Sequence, residues 1–171
     1  MLRELVADRE IRALNDTAFA VTPALREAYA SGDDEELAEV AMAEAARASL
    51  RLLAQDQAGT DLHDERSGDE PDPGGSPIFR RAVIAADVDA ATLRPDLDDA
   101  VVRLSGPITY DRIASVHLDL AEAEAEVAKA VDVIDAADMG DTDAEFVLGD
   151  AEDHQLAWYA AQELPFLLEL L

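Results

Sequence analysis

The residues best suited to chemistry lie near the C-terminus, in Glu152-Asp153-His154-Gln155-Leu156-Ala157-Trp158-Tyr159-Ala160-Ala161-Gln162-Glu163. This stretch holds the sole Trp, one of three His and several carboxylates. Read as a helix from Glu152 to Gln162, it puts His154 and Trp158 on one face at i,i+4. Tyr159, Gln162 and Glu163 share another. Asp150 stands one turn before His154. A His beside a carboxylate can act as a general base or a ligand. The structural reading of the same residues is a helix cap at Asp150 and an aromatic anchor in the core, with the Tyr and Trp heads hydrogen bonded. That reading takes precedence. Asp150, His154, Trp158, Tyr159, Gln162 and Glu163 stand as the candidate site behind it.

Three other constellations are weaker. Asp141, Asp143, Glu145 and Glu152 imitate the spacing of a calcium loop, but the sixth position, which must turn sharply on Gly, is Phe146. A solvated acidic turn is expected there. His63 sits beside Asp61, Asp64 and Glu65, a set that could ligate a metal only by ordering a mobile segment. His117 alternates with Asp119 on a strand pattern and is expected on its solvent side. No phosphate-binding loop, zinc-protease pair or Gly-x-Ser-x-Gly elbow is present. No metal and no cofactor is assigned.

Charge narrows the partners. The 39 acidic residues exceed the 13 basic ones, for a net charge of −26. Such a field repels nucleic acid and anionic membrane surfaces and favours basic partners. With no Cys in the chain, disulfides, thiolate metal sites and Cys nucleophiles are excluded. The first residues are charged and helical in pattern, and no apolar run of membrane length follows. A cytoplasmic location is the default expectation.

The elements that position these residues follow from periodicity and capping. Leu2, Leu5, Val6, Ile11 and Leu14 give a loose helical stripe, broken at Asn15-Asp16-Thr17. Ala18 to Val21 reads as a strand. Thr22-Pro23 starts a helix that runs to about Ala30. Asp33 or Asp34 caps the next helix, with Leu37, Val40, Ala41, Ala45, Ala48 and Leu52 on one face. Gln55 to Pro77 reads as a disordered surface loop, rich in Gly, Pro, Asp and Ser. Arg81 to Val88, Ala100 to Leu104 and Ser115 to Leu120 read as strands, with a helical turn at Tyr110 to Ala114. A helix is expected from Leu120 to Ala137, closed by Met139-Gly140. Glu145 to Leu148 reads as a short strand. The last helix spans Pro165 to Leu171, with Leu164, Leu167, Leu168 and Leu171 as an apolar stripe and Phe166 and Leu170 beside it.

This order predicts one α+β domain over 1–171. Its small mixed or antiparallel sheet of three to five short strands is covered by about five helices.

Several stretches resemble an uncharacterised family of small acidic actinobacterial proteins. They are Ala18-Phe19-Ala20-Val21-Thr22-Pro23-Ala24-Leu25-Arg26-Glu27, Glu44 to Leu53, Val83 to Val88, and the His154–Leu164 segment. The family is a domain of unknown function, so the resemblance implies no catalytic residues. It implies an apolar strand ahead of the first helix. This chain begins inside that helix: either Met1 is a late start, or the strand is missing, which would expose a sheet edge.

The leading expectation for function is a non-enzymatic interaction or regulatory module, a homodimer in the simplest form. Self-association through the C-terminal segment or an unknown protein partner would provide its contacts. The alternative is a small hydrolase or metal-assisted enzyme using His154 and nearby carboxylates. A weaker third reading is an acidic decoy that imitates nucleic acid.

Overall fold

A computed structural model describes residues 2–29, 31–67 and 78–170; for 60–67 and Leu170 it describes the backbone alone. The chain forms two compact units. Unit 1 comprises Met1–Ala45, Val83–His117 and Trp158–Leu171; unit 2 comprises Ala46–Ala82 and Leu118–Ala157. Among the described residues the fold is α+β, with six helices and three small antiparallel sheets.

Unit 1 begins with α1 (Leu2–Asp8) and the short β1 (Glu10–Ile11). The single helical stripe expected over Leu2–Leu14 is broken at Arg9, whose φ of 59° turns the chain out of the helix. β1 pairs antiparallel with β6 (Ile108–Thr109), setting Glu10 opposite Thr109. β2 (Thr17–Phe19) flanks one side of β5 (Val101–Leu104), and β4 (Ala91–Leu93) flanks the other. In register, Thr17 and Thr92 both face Arg103.

Capping explains α2 (Pro23–Ala28). The Thr22 hydroxyl accepts from the Leu25 amide and donates to the Asp99 carbonyl, and Pro23 occupies the first turn, where its missing N–H costs nothing. α3 (Asp34–Ser67) opens on a capping box. Asp33 Oδ1 accepts from the Glu35 and Glu36 amides at 3.0 Å, and Glu36 Oε2 accepts from the Asp33 amide at 3.1 Å.

α3 runs on where the sequence predicts a loop from Gln55. The segment from Gln55 to Arg66 is largely Ala, Gln, Glu, Asp, Leu and Arg, which helices tolerate, with one Gly at Gly59. The dense Gly and Pro cluster begins after Ser67. The remainder of the expected loop, 68–77, lies outside the described residues.

The third sheet has the order β3–β7–β8, from Ala82–Ala86, Ile113–Leu118 and Ala157–Ala160. Its unit 1 residues Ile113 and Val116 join Leu5, Ala161 and Leu164 in a buried cluster. α6 (Leu164–Leu170) belongs to that cluster. Leu164 is fully buried, Leu167 and Leu168 pack against the cluster, and Phe166 is 70% exposed. The C-terminal apolar stripe is thus largely used for packing within its own unit. A second cluster joins Leu25, Leu37, Ala41 and Ala100.

Unit 2 is built on a helical hairpin, α4 (Glu124–Asp138) and α5 (Thr142–Glu152). Gly140 joins them at φ 88°, a left-handed backbone that Gly adopts without Cβ strain. Val127, Ala130, Val131 and Ile134 of α4 pack with Ala144, Leu148 and Ala151 of α5 and with Leu50 of α3. Leu120, expected inward, is exposed, because the helix proper starts after a single 3₁₀ turn at Ala121–Ala123. The strand expected at Glu145 to Leu148 is helical instead. Asp141 caps α5, its Oδ1 accepting from the Asp143 and Ala144 amides at 2.9 and 3.0 Å. The imitation calcium loop is therefore the first turns of a capped helix.

Candidate functional site

The helix expected over Glu152–Gln162 does not form. α5 ends at Glu152, the chain turns through Asp153 and His154, and β8 follows, with a 3₁₀ turn at Ala161–Glu163. Trp158 and Tyr159 are strand formers, and they prevail over the helical spacing. His154 and Trp158 therefore share no helix face. Among the described residues, no hydrogen bond joins the side chains of Asp150 and His154. Asp150 is exposed on α5, and its charge helps raise the pKa of Lys129, after the stronger effect of Glu126. Glu163 is exposed, and its Oε2 accepts from the Ala160 amide at 2.8 Å, closing the turn after β8. Gln162 is exposed and Tyr159 half-buried. Trp158, read structurally as a core anchor, is 60% exposed.

His154 acts through its carbonyl. That oxygen accepts from Nη2 of Arg81 at 2.7 Å. The same guanidinium grips Asp119 with two parallel bonds, Nε to Oδ2 and Nη2 to Oδ1, both 2.8 Å. The Arg81 amide donates to Asp119 Oδ2 at 2.8 Å, and the Asp119 amide donates to the Arg81 carbonyl at 3.0 Å. The two side chains are 3% and 0% exposed. Removing two charges from water costs several kcal/mol each, so geometry this complete is needed to offset it. Strand alternation places Asp119 in solvent; instead it is buried. It lies just past β7, where pairing to Arg81 replaces the alternation rule.

His117 also departs from a purely solvent-facing position. It is half-buried, with Nε2 3.0 Å from the Ser115 Oγ, and burial lowers its pKa. His63 lies on the α3 backbone, its side chain outside the described residues.

A second ionic group in unit 2 is solvent-facing. Arg51 Nε and Nη2 donate to Asp138 at 2.6 and 2.8 Å, and Arg47 Nη2 donates to Glu145 at 2.7 Å. Arg47 also approaches Glu152 at 3.9 Å. The Arg51 hydrogen bond holds the Asp138 pKa below its ordinary value, and the Arg47 hydrogen bond does the same for Glu145. Among the described residues, no three carboxylates or imidazoles converge as metal ligands would.

In unit 1, a dent of about 20 Å³ is lined by Thr22, Ala24, Leu93, Pro95, Asp99 and Val101. Small-molecule pockets are typically some 300 Å³ or more, so this one fits no substrate. No helix among the described residues is long and apolar enough to cross a membrane.

The architecture defines an α+β protein with small antiparallel sheets and a helical hairpin. The chain matches, over residues 1–168, the family described as Family of unknown function (DUF6912), and it belongs to that family. No curated protein and no solved structure matches it.

Proposed function

We propose that this protein is a non-enzymatic interaction module of the cytoplasm, and that β8 is its recognition strand. The observation that carries the reading is Trp158, 60% exposed on a strand at the end of its sheet. Natural edge strands are usually blunted by charge or Pro. From His154 to Gln162 the sequence has no Asp, Glu, Lys, Arg or Pro, although 30% of the chain is charged. A strand free of charged residues and Pro at the end of its sheet, with an exposed Trp, suits addition of an extended segment, with main-chain hydrogen bonds giving affinity and the indole serving as anchor. The hydrolase alternative needs a concave site around the His154 imidazole.

The test uses the sole Trp as its reporter. Partners are captured with the wild type, Trp158→Ala, and Leu120→Ala as a control at another exposed apolar residue. The reading expects a partner kept by wild type and control, lost from Trp158→Ala, and shifting tryptophan emission to the blue when added purified. Equal capture by Trp158→Ala would defeat it. A two-fold copy paired along β8 is the homodimeric form of the same reading. Light scattering would then show a dimer that Trp158→Ala dissociates.

A further inference from the structure

Every charged residue from Ala130 to Leu171 is acidic. Within unit 2, the exposed side of each helix of the α4–α5 hairpin combines that charge with an apolar side chain. Met139 is 83% exposed and Phe146 78%, although Val127, Ile134 and Leu148 of the same hairpin are fully or almost fully buried. Neither Met139 nor Phe146 belongs to the core cluster.

Their surroundings repeat a pattern. On α4 and its C-cap, Asp132, Asp135 and Met139 fall at i, i+3 and i+7, and all are exposed. On α5, Asp143, Phe146 and Asp150 fall at i, i+3 and i+7, and all are exposed. Each helix thus presents one large apolar side chain on a stripe with two carboxylates. Arg47 and Arg51 of α3 are committed elsewhere, Arg47 to Glu145 and Arg51 to Asp138. Asp132, Asp135 and Asp143 have no ion-pair partner among the described residues.

We propose that this face docks a cationic amphipathic segment of a partner protein. Met139 and Phe146 would pack into the apolar face of that segment. Asp132, Asp135 and Asp143 would pair with its Lys and Arg. The occupant follows from local charge: a second copy docked here would set Asp132, Asp135 and Asp143 against the same carboxylates, whereas a basic segment is drawn in by the field and held by apolar contact. An unbranched Met and an exposed aromatic ring are suited to it, the first by its adaptable packing and the second by its attraction for Arg. This surface is independent of β8.

The experiment measures binding of a labelled synthetic peptide with Leu and Lys at helical spacing, using fluorescence anisotropy on the full chain. Met139→Ala with Phe146→Ala is expected to weaken binding about tenfold or more, with an unchanged melting curve because both residues are exposed. Asp135→Asn with Asp143→Asn is expected to weaken it more than Glu35→Gln with Glu39→Gln, which removes equal charge from exposed positions of α3 in unit 1. Undiminished binding by the apolar double variant overturns the proposal. So does equal weakening by the two charge pairs, which would assign binding to the whole-molecule field, and so does failure of the peptide to bind.

Discussion

Arg81 and Arg51 hold aspartates in nearly the same way. Arg81 meets Asp119 through Nε and Nη2 at 2.8 and 2.8 Å, and Arg51 meets Asp138 through the same two nitrogens at 2.6 and 2.8 Å. Their settings differ. The first pair is 3% and 0% exposed; the second is 37% and 31% exposed. Equal geometry therefore carries unequal consequences. In the first pair each charge depends on the other, since water cannot replace a lost partner. In the second, water can. Burial, rather than the presence of a salt bridge, decides which contact the fold requires.

Removing one member of the buried pair is the strongest way to break that contrast. Asp119→Ala is expected to destabilise by about 3–5 kcal/mol, because the Arg81 charge is left buried and unpaired. Urea denaturation followed by circular dichroism measures it, and a loss below about 1 kcal/mol would mean that water reaches Arg81. Replacing both, with Arg81→Met and Asp119→Leu, is expected to recover most of that loss, because no orphan charge remains. A double variant as unstable as Asp119→Ala would show that the hydrogen bonds from the Arg81 amide to Asp119 Oδ2 and from Arg81 Nη2 to the His154 carbonyl matter more than the charges.

On the exposed side, Arg51→Ala is expected to cost roughly 1 kcal/mol or less, and less still in molar salt. Whole-chain stability should move the opposite way, rising with salt as self-repulsion among carboxylates is screened. Thermal melts of both proteins in low and high sodium chloride separate the two trends. The smallest effect is the pH dependence of that local contribution. Asp138 has a lowered folded-state pKa, chiefly through its hydrogen bond from Arg51. Its stabilisation is present above the unfolded carboxylate value and is lost as pH falls through the folded one. The gap between wild type and Arg51→Ala should therefore close as pH drops below about 4. A gap unchanged at pH 3 would separate Arg51 from the titration of Asp138.

The contrast also explains what the sequence reveals. Helix starts were legible at Thr22-Pro23 and Asp33-Asp34 because caps act within three or four residues. β3 and β5 were legible as apolar runs, and β7 by the alternation of Val116 and Leu118 with polar residues. The mixed class followed from them. One failure was a local cap passed over, and the others came where a distant partner decides. Phe146-Val147-Leu148 reads as a strand until Asp141 caps a helix through it. His154 to Gln162 reads as a helix, yet Arg81 takes the carbonyl of His154 and β8 adds to a sheet whose other strands lie far back in the chain. Asp119 reads as solvent-facing by alternation, and nothing local announces Arg81, 38 positions earlier. Of the candidate residues, His154 proved to have a backbone role that no local signal marks, while Glu163 makes a capping contact only three residues away. Trp158 is exposed, although a lone Trp is more often read as an anchor of the core.

Lys129 sits on the exposed side of α4, with its side chain 62% exposed and its ammonium bonded to Glu126 at 3.0 and 2.9 Å. It is the only Lys in the chain. Side-chain acylation of lysine therefore reads out one address, on α4. It is also the last basic residue, so trypsin leaves everything from Ala130 onward as one fragment. That fragment contains α5, β8 and α6 together. A covalent link at Lys129 removes that cleavage site, so the modified chain leaves everything from Ile113 onward as one fragment and the modification reads out as a missed cleavage.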